Sequence, residues 1–440
     1  MPERLLERSL AAVWHPCSQM KQYDDGNMPL LPIVGARGAW LHGADGRRYL
    51  DGISSWWVNL FGHCHARINA AIRDQLEHLE HAMLAGFTHE PVVELSERLA
   101  ARTGGRLGHC FYASDGASAT EIALKMSAHH WRNCGRPEKH RFLCLAGGYH
   151  GETIGALGVT DIPLFRDAYG PLLRPATVLA SPDARGAATS LEAAQAAAQA
   201  LSRHLERHDA ETAALIVEPL VQCAAGMAMH DPEYLRLARE LCDRHQVHLI
   251  CDEIAVGFGR TGSFFAHEQA GIRPDFLCLS KGITGGYLPL SAVMTRDDIY
   301  QSFYHDATAR GFLHSHSYTG NPLACRAALA TLDIFDDDDV LAANAARGDR
   351  IDAGLAPLAH HPAVSHYRRR GMIFAFDVHV DRDFARRYRL AALERELLLR
   401  PIAGDSGATV YLMPPYCLDN AEIDHLCRAT AEALSEALPT

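Results

Sequence analysis

Short apolar runs alternate with amphipathic stretches through the middle of the chain. "HCFYAS" (109–114), "RFLCLAGG" (141–148), "AALIVEP" (213–219), "VHLICDE" (247–253), "DFLCLSK" (275–281) and "LSAVMT" (290–295) read as buried strands, each closing on small, polar or charged residues. Between them, "GASATEIALKMSAHHW" (116–131) and "DPEYLRLARELCDRHQ" (231–246) carry helical periodicity. The second has Asp231 as N-cap and Pro232 at the first helical position. The Ala-rich 184–201 reads as a surface helix. Strands alternating with helices predict an α/β fold with a mainly parallel sheet covered on both faces.

The two ends differ from this middle. Residues 1–60 are turn-rich, and "LHGADGRRYLDG" (41–52) reads as a hairpin. From about residue 335 a separate pattern sets in: strand 371–378, helix 381–399, strand 409–415, helix 419–437. The expectation is a large domain, 61–334, and a small α+β domain joined from 1–60 and 335–440. "DDDD" (336–339) reads as a solvated helix start rather than a cation site.

At 440 residues the chain exceeds what one core usually holds, which agrees with two domains. Apolar residues make up 48% and charged residues 22%, ordinary globular usage. A net charge of −11 with mixed signs argues against a nucleic-acid surface. The apolar runs are too short to span a bilayer, and "MPERLLERSLAAVWHP" has no extended apolar segment, so neither membrane nor leader is expected. The 12 cysteines are scattered with no C-x-x-C pair, as in a reduced, cytoplasmic protein. "GHCH" (His63, Cys64, His65) and "HSH" (His314, His316) lack the paired distant spacing of a zinc site, and no metal is expected.

In a parallel sheet, ligands bind beyond the carboxyl ends of the strands. Ser114, Asp115, Glu218, Asp252 and Lys281 all fall at or just past such ends. Lys281 closes an apolar strand ahead of "GITGG"; a lysine held in a pocket is a nucleophilic amine suited to carbonyl chemistry. Asp252 closes "HLIC", and a carboxylate there needs a cationic or hydrogen-bonded partner. A protonated pyridine nitrogen would be one, so lysine and aspartate together point to pyridoxal phosphate. "SDGASATE" (114–121) opens a helix with small residues, where backbone N–H groups and the helix dipole favour a phosphate; an ordinary N-cap is the plainer reading of the same residues. Tyr149 in "GGYHGET" either stacks on a flat ring or covers the core edge. "GFGRTG" (257–262) matches the dinucleotide fingerprint, but it neither follows the strand directly nor opens a long helix.

Together "SDGASATEIALK", "GGYHGET", "VEP", "CDEIAVGFGRTG", "LSKGITGG" and "YTGNPLAC", in this order over nearly the whole chain, resemble the class III pyridoxal-phosphate-dependent aminotransferases. The resemblance implies the fold type I architecture: a seven-stranded large domain, a small domain from both chain ends, and a homodimer with shared active sites. It implies that Lys281 binds the cofactor and shuttles protons and that Asp252 pairs with its ring nitrogen. Asp115, Gly116 and Ala117 fall at the phosphate and Tyr149 against the ring. His316 and Ser317 reach the phosphate of the second copy's cofactor. "WHPCSQM", "DGISSWWVN", "FLHSHSYTGNPLAC" and "VYLMPPY" narrow the resemblance to the branch that aminates 8-amino-7-oxononanoate in biotin synthesis, with S-adenosylmethionine or lysine as donor. Another ω-aminotransferase, acting on ornithine, 4-aminobutyrate or a diamine, is the alternative. In that branch Cys17, Trp56, Tyr149 and Arg400 line the substrate site, with Ser315 near the substrate of the second copy. Three positions depart from the common pattern: Cys17 stands for a tyrosine, Glu152 for an aspartate and Ser317 for a threonine.

Overall fold

A computed structural model of the protein describes residues 2–24, 26–404 and 407–439. The chain divides into two compact units, residues 66–343 and residues 1–65 with 344–440.

The larger unit is built on one sheet. Its strands in chain order are β1 (His109–Ala113), β2 (Arg141–Leu145), β3 (Thr177–Leu179), β4 (Thr212–Val217), β5 (His248–Asp252), β6 (Phe276–Leu279) and β7 (Ser291–Thr295). Their order across the sheet is β1-β7-β6-β5-β4-β2-β3. The central pairs β6–β5, β5–β4, β4–β2 and β2–β3 are parallel. β7 runs antiparallel to both neighbours, so β1 points the same way as the rest. Six strands therefore end at one edge. β4, β5 and β6 are buried at every position, as expected of near-continuous apolar runs covered on both faces.

Helix α1 (Gly116–Asn133) crosses one face, and its Ala119, Ile122, Ala123 and Met126 join Ala214, Ile216, Ile250, Phe276 and Val293 in a single core. The Ala-rich stretch forms α2 (Ser190–His208), capped by Thr189 and packed on α3 (Pro232–Arg244). It is less of a surface helix than its composition implies: Ala193, Ala194, Ala197 and Ala198 are buried, small side chains that allow close helix approach. Asp231 caps α3 as expected, accepting from Glu233 N at 3.0 Å. The aspartate run is exposed, as expected, and leads into a helix. It closes helix Pro322–Asp337 and precedes helix Val340–Ala359, and Asp336 pairs with Arg98 (2.7 Å) and Arg102, Asp337 with Arg67.

In the smaller unit, Ile33–Arg37, Trp40–Gly43 and Arg48–Asp51 form an antiparallel meander. Leu397–Leu398 adds to it in parallel beside Leu50–Asp51, which ties the two ends of the chain together. A second sheet has the order Val364–Arg370, Ile373–Val378, Gly407–Leu412, Ile402–Gly404. Helices Phe384–Glu394 and Asn420–Ala437 pack on each other, the latter opened by an Asp419–Glu422 capping box. The helix expected over 381–399 is thus shorter. Glu396 takes a left-handed φ of 56° after its last turn, and the apolar leucines that follow go to a strand. Among the described residues no helix is long and apolar enough to cross a membrane.

Candidate active site

The parallel strand ends of the larger unit gather ionisable groups. Asp252, the last residue of β5, is 4% exposed. Its Oδ2 lies 2.7 Å from His150 Nδ1, and its Oδ1 accepts from Ile254 N at 3.1 Å. His150, past the end of β2, is fixed in turn by its own backbone: its N–H donates to Thr160 Oγ1 (3.0 Å) and its carbonyl accepts from Thr120 Oγ1 (2.8 Å). The buried carboxylate predicted from "HLIC" therefore finds a partner that sequence reasoning passed over. The signal was present, since His150 is the next residue after Tyr149 in the motif already singled out.

Lys281 follows β6 in a short 3-10 turn, Lys281–Thr284, with a left-handed φ of 48°. A non-glycine residue there costs about 1–3 kcal/mol and persists only where its surroundings fix it. Ser280 Oγ donates to Leu290 O and Thr284 Oγ1 to Leu288 O, both at 2.8 Å, which pins the turn on either side of the lysine. Burial holds the Lys281 ammonium below its usual range; Cys223, Asp252 and Glu218 oppose that shift, and Arg260 adds to it. Glu218, one residue past β4, accepts from Tyr149 N and Cys223 N at 3.0 Å each. Burial pushes its carboxyl up to about 7, with His150 opposing and Asp252 adding.

Asp115 caps α1, Oδ1 accepting from Ser118 N and Oδ2 from Ser118 Oγ, both at 2.9 Å. Behind it the backbone is crowded. A Cβ on Gly116 would lie 2.9 Å from Ile254 Cγ2, and one on Gly151, whose φ is +123°, would lie 2.5 Å from Ala117 Cβ. Tyr149 donates through its hydroxyl to Glu152 Oε1 (2.8 Å) and meets Phe165 edge-on. Ser315 and Ser317 are exposed on a turn before helix Pro322–Asp337. His316 between them lies 3.3 Å from His314, which itself lies 2.7 Å from Lys125 Nζ.

The smaller unit holds Cys17, Trp56 and Arg400 together. Arg400 Nη2 donates to Cys17 O at 2.8 Å, and its guanidinium sits 4.6 Å from the Trp56 ring centre. Trp56 belongs to a left-handed turn, Ser54–Trp57, with φ of 52°, 47°, 71° and 73° in succession. Such a run costs roughly 1–2 kcal/mol per residue. Asp51, fully buried, offsets it by accepting from Ser55 N (2.8 Å) and Ser55 Oγ (2.7 Å), while Ser54 Oγ donates to Met413 O at 2.7 Å.

The class-III aminotransferase family model matches residues 21–434. This protein is a class-III aminotransferase. The adenosylmethionine-8-amino-7-oxononanoate aminotransferase of Helicobacter pylori is 45% identical over 99% of this chain and 98% of its own. The crystal structure of the protein of the same name from Methanocaldococcus jannaschii superposes with a TM-score of 0.91 at 33% identity, covering 99% of each chain. An amine transaminase from an uncultivated Pseudomonas species, solved with pyridoxal phosphate bound, gives 0.91 at 31% identity over 97% of this chain and 99% of its own.

The cofactor of the aminotransferase is pyridoxal 5′-phosphate, and the residues present fit it. They offer an amine disfavoured as ammonium, a buried carboxylate suited to a protonated ring nitrogen, and the start of helix α1, opened by the small residues Gly116 and Ala117, whose backbone N–H groups favour a phosphate. The dinucleotide fingerprint does not build a competing site. Gly257–Gly262 is a loop followed by the short turn Ala266–Ala270, and Asp275 is engaged by Leu249 N (2.6 Å), Arg239 (2.9 Å) and Arg296 (2.5 Å).

Proposed function

We propose that this aminotransferase moves an amino group from S-adenosylmethionine to 8-amino-7-oxononanoate, giving 7,8-diaminononanoate for biotin synthesis. The likeness to the Helicobacter pylori protein of that name, 45% identical end to end, carries the reading.

Pyridoxal phosphate, when bound, supplies an electron sink for the carbon that loses its proton. Lys281 is the residue that holds the cofactor covalently, its burial favouring the free amine over the ammonium. With its amine free, Lys281 Nζ would take the donor's α-proton and return it, as general base and then acid. Asp252, oriented by His150, keeps the ring nitrogen protonated. Asp115, Gly116 and Ala117 hold the phosphate at the start of α1, and Tyr149 covers the ring. Cys17, Trp56 and Arg400 receive the substrates, Arg400 with a planar fork suited to a carboxylate, and Ser315 serves the substrate of the second copy.

The working form is a homodimer in which His316 and Ser317 of one copy complete the phosphate site of the other. Leu313 and Tyr318, flanking them, are 77% and 64% exposed, apolar surface that a second copy would cover. Twelve free thiols fit a reducing, cytoplasmic setting.

The test is the half-reaction. Holoenzyme mixed with S-adenosylmethionine is expected to lose its aldehyde-form absorbance, and subsequent 8-amino-7-oxononanoate to restore it. Restoration by ornithine-derived or 4-aminobutyrate-derived oxo acids in its place would assign another ω-aminotransferase. Conversion by lysine alone would change the donor.

A further inference from the structure

Helix Phe384–Glu394 and the turn after it carry several arginines whose situations differ. Arg387 is paired with Asp381 at 2.7 Å, and Arg395 with Glu432 (3.2 Å) and Glu436 (2.7 Å). Among the described residues Arg389 has no such partner. Its Nη1 meets the thioether of Met28, a weak acceptor, and its Nε is buried with no hydrogen-bond partner among the described residues. Burial and then the charge of Arg400 hold the Arg389 guanidinium below its usual range, with Tyr23 offsetting only in part. Arg400 itself meets a backbone carbonyl and the Trp56 face, neither of which neutralises it.

Both guanidiniums rest on the N-terminal segment, Arg400 at Cys17 and Arg389 at Met28, where Tyr23 Oη donates to Ser18 Oγ at 3.0 Å and Met28 N to Gln22 O at 2.9 Å. Two cations there that no carboxylate meets among the described residues are costly. Removing a cation from water is unfavourable, and the second cation adds repulsion. One anion satisfies both. A carboxylate has two oxygens and about four lone-pair sites, enough for two forks.

We propose that Arg389 is the second cation of the carboxylate site, its guanidinium and that of Arg400 together receiving the terminal carboxylate of a long-chain amino-oxo acid. This rests on the placing of Arg400 in the substrate site above and extends it to a residue that the sequence motifs do not mark. Arg389 lies within a helix, eleven positions before Arg400 and outside "LLLRP". The pair selects for a carboxylate at the far end of the acceptor. A neutral amide there would leave both cations unmet.

The experiment uses nonanoate, the acceptor's carbon skeleton and carboxylate without its reacting groups, and nonanamide, its neutral counterpart. Binding to the holoenzyme is measured by calorimetry for the wild type, Arg389→Gln, Arg389→Met and Arg389→Lys. Retained cofactor and an unchanged thermal midpoint certify that each variant is folded. Wild type is expected to bind nonanoate more tightly than nonanamide. Gln and Met should weaken nonanoate about tenfold or more while leaving nonanamide unchanged, and Lys should recover part of the loss. Equal nonanoate binding by wild type and both neutral variants overturns the proposal, as does a wild type that does not distinguish acid from amide. Carboxylate selectivity that depends on Arg389, in an enzyme that fails to aminate 8-amino-7-oxononanoate, would overturn the substrate assignment and leave the arginine pair standing.

Discussion

His150 Nδ1 and Asp252 Oδ2 lie 2.7 Å apart with both side chains almost fully buried. The histidine fixes which way the carboxylate faces, and the carboxylate is what a protonated ring nitrogen needs. Asp252→Asn keeps the shape and removes the charge. It is expected to retain cofactor and to lose on the order of 10²–10³ in the single-turnover rate of proton transfer. His150→Phe should lower that rate by about tenfold, and His150→Asn, which keeps a donor, should recover part of it. Near-normal turnover in Asp252→Asn would make the carboxylate structural.

Lys281→Ala should abolish turnover and leave no cofactor fixed to the protein after borohydride reduction. Mass spectrometry of the reduced protein reads this directly. Cofactor still trapped on the variant would move the attachment to another residue.

Glu218 gives a pH signature. Its carboxyl is held at about 7 in the folded protein by burial, against about 4.3 in an unfolded chain. The folded state binds this proton more tightly. The associated stabilisation is therefore fully present below the unfolded value and is lost as pH rises through about 7. Glu218→Gln mimics the neutral form at every pH. Between about pH 5 and pH 8 the thermal midpoint of the wild-type holoenzyme should fall relative to that of the variant. Parallel curves would show that Glu218 stays ionised throughout.

Gly151 is a position beside the candidate phosphate site where a single methyl group should matter. Its φ is +123°, and a Cβ there would lie 2.8 Å from Ala117 Cα and 2.5 Å from Ala117 Cβ. Gly151→Ala is expected to cost about 1–3 kcal/mol of stability by overpacking and to loosen the cofactor, because Ala117 opens the helix assigned to the phosphate. Denaturant melts and cofactor titration measure the two effects. A variant unchanged in both would mean that the loop moves aside freely.

Arg400→Ala should raise the acceptor's KM far more than the donor's. Arg400→Lys should restore only part, since lysine keeps a charge near Trp56 but lacks the planar fork. Separate half-reaction kinetics decide it. Equal losses on both sides would make Arg400 a support of the fold.

What was legible in the chain was local. The strands of the large sheet announce themselves because residues covered on both faces must be apolar throughout, and the run stops where the backbone leaves the core. That stopping point is also where a parallel sheet places its chemistry, so Asp252 and Lys281 stand out from position alone. Asp231 and Pro232 were readable for the same kind of reason, since a cap acts within one turn of its own residue. The short strand Thr177–Leu179 was not, because an exposed three-residue edge strand has no apolar run to show.

The sequence by itself determined the alternating α/β layout, the strand ends that carry the chemistry and, through motifs, the family. Tertiary structure alone decided the pairings across distance. His150 meets Asp252 from 102 positions away, and Arg400 meets Cys17 from 383. It also decided that β7 runs against its neighbours, and that Lys281 and Ser54–Trp57 take left-handed backbone conformations. Periodicity records which side of an element is buried, a property of the element alone. Which buried groups then face one another, and how much backbone strain their bonds can hold, depends on how separate elements pack, and no single stretch of sequence contains that.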